Sequence, residues 1–109
     1  MAYSESLARR IRQVFARRYV VTEKKMFGGI GFLLHGNTCV GVSQTSLIVR
    51  LGPEQADAAR KQPNIVEFDV AGRPLRGWVM VEAEGIETDE QLSRWIGQAV
   101  EFVETLPWK

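Results

Sequence analysis

One cysteine, one histidine and four prolines in 109 residues leave little material for several common kinds of site. A lone cysteine, Cys39, excludes an internal disulfide framework and fits a reducing compartment. A lone histidine, His35, cannot build a metal centre with Cys39, because such centres need three or four converging ligands. Apolar runs are short. None approaches the roughly 18 residues that carry a helix across a bilayer, so no membrane-spanning segment is expected. The N-terminus lacks the continuous apolar core of a secretory signal. There is no low-complexity tract and no internal repeat. The length suits one domain, residues 1–109, with a core large enough to fold without staples.

Charge is nearly balanced overall, with a formal net of +1, but it is unevenly placed. Residues 1–25 hold seven cations (Arg9, Arg10, Arg12, Arg17, Arg18, Lys24, Lys25) against Glu5 and Glu23. The remaining residues hold seven cations and eleven acids. Such asymmetry turns one part of a molecule towards something anionic.

Glycine is plentiful, and its placement is informative. Met26-Phe27-Gly28-Gly29-Ile30-Gly31-Phe32 sets three glycines among bulky apolar residues. Glycine costs a strand interior about 0.5–1 kcal/mol relative to alanine. A chain that keeps that cost needs a bulge, a turn or a close backbone approach there.

Local signals predict the elements. Ser4 caps a helix whose apolar positions Leu7, Ile11, Val14 and Phe15 share one side and which ends near Arg18. Short strands follow. Gly36-Asn37 is expected as a two-residue hairpin turn, which would pair Phe32 with Gly41 and Gly31 with Val42. Both faces of that hairpin are partly apolar, so a layer is expected over each. Thr45-Ser46 makes the next turn and Leu47–Leu51 the next strand. Pro53 opens a short helix to about Lys61. Ile65–Val70 and Leu75–Val81 are strands around Ala71-Gly72-Arg73-Pro74. Thr88 and Gln91 have the form of a capping box, and Leu92, Trp95, Ile96, Ala99, Val100 and Val103 make a helical stripe to about Glu104. The expected class is α+β: an antiparallel sheet of hairpins with an N-terminal, a short middle and a C-terminal helix.

Catalytic patterns are sparse. The dinucleotide fingerprint fails because Leu34 stands where its third glycine belongs. The phosphate-loop spacing from Gly31 to Thr38 carries Asn37 in place of lysine, and a strand follows it instead of a helix. Cys39 reads as a small core residue and His35 as a surface residue at a hairpin tip. Glu82, Glu84, Glu87, Asp89 and Glu90 read as solvated surface, part of it complementing the last helix's dipole. No catalytic residue, metal ligand or cofactor is assigned. Trp95 is expected in the core and Trp78 in packing, while Trp108 either tucks back or stays exposed. The leading candidates for binding are Arg9, Arg12 and Arg17 on the first helix, extended by Lys24 and Lys25. Their cations would neutralise phosphates or an acidic partner.

Met26-Phe27-Gly28-Gly29-Ile30-Gly31 resembles the signature of the TfoX/Sxy family, N-terminal domain. Gly36, the Val40–Ser43 strand, Leu47–Leu51, Gly72-Arg73-Pro74, Gly77-Trp78-Val79, Leu92, Trp95 and Leu106-Pro107-Trp108-Lys109 agree with its short, stand-alone members. The resemblance implies a bacterial, cytoplasmic α+β domain. The family's named members regulate natural competence and promote transcription of DNA-uptake genes together with a cyclic-AMP-responsive activator. They are not known as enzymes, and the glycine motif matches as architecture. The expectation is a non-enzymatic regulatory or adaptor domain that acts through a protein partner, with DNA as a further contact. Homodimerisation through a strand edge or Trp108 is a third reading. The alternative is a small-molecule-binding module or enzyme with a pocket beside the glycine strand.

Overall fold

The computed structural model describes residues 3–16, 19–26 and 28–109. Its order is α1 (Glu5–Phe15), β1 (Val21–Met26), β2 (Gly29–Leu34), β3 (Asn37–Ser43), β4 (Ser46–Arg50), α2 (Pro53–Ala59), β5 (Ile65–Val70), β6 (Arg73–Val81) and α3 (Asp89–Val103), with a single 3-10 turn at Ala83–Gly85 before α3. The six strands form one antiparallel sheet in the order β1-β2-β3-β4-β6-β5. The α+β class expected from the sequence holds, with helices at the start, middle and end.

The helices begin where local chemistry says they should. Ser4 Oγ accepts a hydrogen bond from the Leu7 amide at 3.1 Å, which satisfies one of the orphan donors of the first turn. Thr88 and Gln91 close a reciprocal capping box at 3.1 and 3.0 Å. Pro53 sits in the first turn of α2. There its fixed φ is an advantage and its missing N–H costs nothing.

The core lies on one face of the sheet. Register pairs Ile30 with Val42, Phe32 with Val40, Val40 with Val49, and Leu47 with Val81. All of these join one buried cluster with Leu7, Ile11 and Phe15 of α1, Ala56 and Ala59 of α2, and Leu92, Trp95, Ile96, Ala99 and Val100 of α3. Each fully buried large side chain contributes about 1.5–3 kcal/mol of transfer free energy, so this cluster dominates stability. Trp95 is in it, as the helical stripe predicts.

Five local expectations are corrected. First, β1 is a strand that the sequence reading does not place; Lys24 and Lys25 are read there only as cations, and Met26 only as the start of the glycine motif. Second, the β2–β3 turn is His35-Gly36, with φ of 54° and 82°, so Leu34 pairs with Asn37. Two consecutive positive φ values give the mirror-image turn that matches strand twist. A bulge after Phe32 then shifts the register again, and Gly31 faces Gly41 while Phe32 faces Val40. Third, the β3–β4 loop is Gln44-Thr45, and Ser46 pairs with Ser43. Fourth, of the layers expected over the two faces, the helical one lies on a single face among the described residues, since the buried side chains of all three helices join the single cluster above. The end of the first helix, expected near Arg18, comes at Phe15.

Candidate functional site

Of the five cations proposed for binding, Arg17 lies outside the described residues. Arg12 is committed: its Nε and Nη2 donate to Glu23 Oε2 and Oε1 at 2.7 and 2.8 Å. This two-pronged geometry is the strongest form of ion pair that a guanidinium makes. The Arg12 bond holds the Glu23 carboxyl below its ordinary range, and the same bond raises the guanidinium. The pair ties α1 to the outer strand β1.

Around this fork the periodicities converge. Arg9 precedes Arg12 by one helical turn, and Lys25 follows Glu23 by two strand residues. Helix and strand spacing therefore turn both towards the side where Arg12 meets Glu23. Arg9 and Lys25 are exposed. Neither has an ion pair among the described residues. Lys24 is exposed as well, but strand alternation sends it to the opposite face, where register sets it against Gly31. The cations thus split into a helix-side group, Arg9 and Lys25 about the Arg12–Glu23 fork, and Lys24 apart from it. Arg10 is spent elsewhere, on Asp89 at 3.3 Å and the Ile86 carbonyl at 2.8 Å, joining α1 to the start of α3. Sequence reasoning missed Glu23 as the partner of Arg12, because nothing local announces β1.

The glycine motif is packed by the chain itself. Phe27 lies outside the described residues, and Gly28 turns the chain with φ 71°. A Cβ at Gly29 would collide with the Val42 carbonyl oxygen, and one at Gly31 with the side chain of Met26. Met26 lies over Gly31, within 3.7 Å of Thr38 Oγ1. The close approaches that these glycines permit are thus to backbone and to a thioether. A groove of about 470 Å³ lies away from the motif, between the start of α2 and the end of α3, lined by Leu51, Pro53, Gln55, Arg76 and Phe102 among others.

The reactive residue types have structural settings. Cys39 is buried beside the bulge, and burial pushes its thiol up to about 12, so it carries no thiolate near neutral pH. His35 stacks flat on Trp108, with ring centroids 3.8 Å apart and planes 5° from parallel. The Lys109 amide donates to the His35 carbonyl at 2.9 Å, and Asn37 Nδ2 donates to the Pro107 carbonyl at 2.9 Å. Trp108 therefore folds back onto the β2–β3 turn and is still 74% exposed. Among the described residues no three metal-ligating side chains converge, and no helix is long and apolar enough to cross a membrane.

No curated protein matches this sequence closely enough to count as a relative. The family comparison is decisive in the other direction. The TfoX N-terminal domain family matches residues 13–103, a span that runs from the last turn of α1 through the glycine motif and all six strands to the end of α3. The chain belongs to the TfoX N-terminal domain family.

Proposed function

We propose that this chain is a non-enzymatic regulatory adaptor that acts through a protein partner in transcriptional control. The observation that carries the reading is the helix-side surface, where Arg9 and Lys25 flank the Arg12–Glu23 fork. The fork orders two elements, and the flanking cations are left for an acidic partner. Family membership supports the regulatory part of the reading. Consumption of Arg12 by Glu23 favours a protein over DNA, because a fork-bound guanidinium offers less to a phosphate backbone. Opposite charge across such a contact mainly speeds and orients encounter.

The test is fluorescence anisotropy of a labelled DNA duplex at low and near-physiological salt, with Arg9→Glu and Lys25→Glu beside the wild type. The adaptor reading expects at most loose binding that collapses as salt rises. Tight binding at near-physiological salt, lost in both variants, would overturn it in favour of DNA.

A further inference from the structure

The end of the sheet where β1 begins carries uncovered apolar surface. Among the described residues, Val20 and Trp108 are the most exposed large apolar side chains, at 92% and 74%. Register brings both to this end. Val20 precedes the Val21–Leu34 pair of β1 and β2, and Trp108 stacks on His35, which follows Leu34. The Trp108 ring is held in place. The Lys109 amide on one side of it bonds the His35 carbonyl, the Pro107 carbonyl on the other side accepts from Asn37, and the imidazole backs one ring face. An ordered indole loses little conformational freedom when a partner covers it, and it brings a large apolar area to the contact.

A groove opens between α1 and α3, with Val14, Phe15 and Tyr19 on one wall and Ile96, Gly97 and Val100 on the other. Tyr19 adjoins Val20, so the groove reaches the same end of the molecule. Its volume is about 320 Å³, the bottom of the range for small-ligand pockets and the scale of one bulky side chain. Glycine is the least favourable residue in a helix interior after proline. A Cβ at Gly97 would meet nothing within 4 Å, so the chain's own packing does not require glycine there. Its missing side chain keeps the groove open. Helical spacing puts Glu90, Arg94, Glu101 and Glu104 on Gly97's side of α3. All four are exposed, and none has an ion pair among the described residues. Arg94 lies beside the Trp95 ring at 5.6 Å. The groove is therefore flanked by three carboxylates and one guanidinium, while Trp108 is followed by Lys109, an exposed cation that is equally unpaired.

We propose that two copies of this chain pair through this end, each Trp108 entering the other copy's groove between α1 and α3, with Val20 at the seam and each Lys109 facing the other copy's α3 carboxylates. Size and charge select this occupant. The groove has room for one indole, and its acidic flank suits the cation that follows Trp108. The same flank repels a phosphate backbone. A small polar molecule would find only Ser93 and the Tyr19 hydroxyl among the lining side chains. An apolar projection and a complementary pocket on one molecule lead to self-association, and a mutual exchange closes as a two-fold pair. Arg9 and Lys25 lie on the β1 side of α1 and take no part, so the pairing and the adaptor reading can fail separately.

The test is light scattering and methyl NMR of the whole chain from about 10 μM to 1 mM, the range in which a small contact of this kind associates. The wild type is expected to pass from monomer to dimer, with the methyl resonances of Val14, Ile96 and Val100 shifting as it does. Trp108→Ala should raise the dissociation constant about tenfold or more, since a buried tryptophan dominates such contacts. Gly97→Leu, which fills the groove, should weaken pairing to the same degree, and its urea midpoint at low concentration should not fall below wild type. Val14→Glu, which puts a charge at the groove wall, should weaken it as well. Val70→Ala, on the far edge strand, should leave pairing unchanged. A monomer at every concentration would overturn the proposal. So would a dimer that survives Trp108→Ala, a dimer indifferent to both Gly97→Leu and Val14→Glu, or one that Val70→Ala dissolves.

Discussion

Gly29 and Gly31 sit two residues apart on β2, yet alanine at the two positions should have opposite consequences. At Gly29 the added methyl meets the carbonyl oxygen of Val42, and the Val42 carbonyl carbon at 3.0 Å. Both atoms belong to the β2–β3 ladder, where Ile30 pairs with Val42. They cannot retreat without breaking ladder hydrogen bonds. Forced overpacking of this kind costs about 1–3 kcal/mol. At Gly31 the methyl meets the outer part of the Met26 side chain, with Cγ at 2.8 Å. Met26 is half-buried and has three rotatable bonds, so it can swing aside. Alanine also recovers about 0.5–1 kcal/mol that glycine forfeits in a strand. Gly29→Ala should therefore lose about 1–3 kcal/mol, a fall in Tm of about 4–12 °C at this size. Gly31→Ala should stay within about 1 kcal/mol of wild type, the recovered propensity offsetting the lost Met26 contact. Urea melts read both, with an unchanged m-value confirming that the native state is the same. If Gly29→Ala were as stable as wild type, or if the two variants lost equal stability, the account of the motif as self-packed architecture would be refuted.

Other outcomes follow from the same geometry. Glu23→Gln should cost about 0.2–1 kcal/mol at neutral pH, because both partners of the fork are partly exposed. The folded-state value of Glu23 is lowered, so its contribution is present above the unfolded carboxylate range and is lost as pH falls through the lowered value. Urea midpoints of variant and wild type should converge in acid; a gap that persists there would contradict the pairing. Cys39 should be inert to a thiol-specific reagent in the native state and react at the rate of global unfolding, and rapid modification without unfolding would place the thiol at the surface. Asn37→Ala should cost about 1–2 kcal/mol through its lost bond to the Pro107 carbonyl. It should also free Trp108 from His35, read as a change in tryptophan fluorescence and faster amide exchange at Lys109; an unchanged tail would mean that Asn37 does not hold it.

Legibility of the fold tracked how local each signal is. α1 and α3 were readable because Ser4 and the Thr88–Gln91 box act within one turn of the residues they cap. β1 was not readable, because Val21–Met26 is an edge strand with four exposed polar residues in a row, and nothing in it alternates. The β2–β3 register slipped for a different reason. Gly36-Asn37 is a good turn pair by composition, but His35 accepts positive φ, and Asn37 is more valuable buried, bonded to Pro107 seventy residues away. Of the site residues, Arg9, Lys24 and Lys25 were legible as exposed cations. Their division between two faces was not, since it depends on the strand that the reading lacked. The Arg12–Glu23 fork was hidden by the same gap.

The most direct test of the adaptor account is site-specific photocrosslinking in cells, with the reactive group at Lys25 and, as a control, at Val70 on the far edge strand. The account predicts a discrete protein adduct from Lys25, absent at Val70 and lost when Arg9 is also changed to glutamate. Adducts to DNA alone, or the same background from both positions, would contradict it.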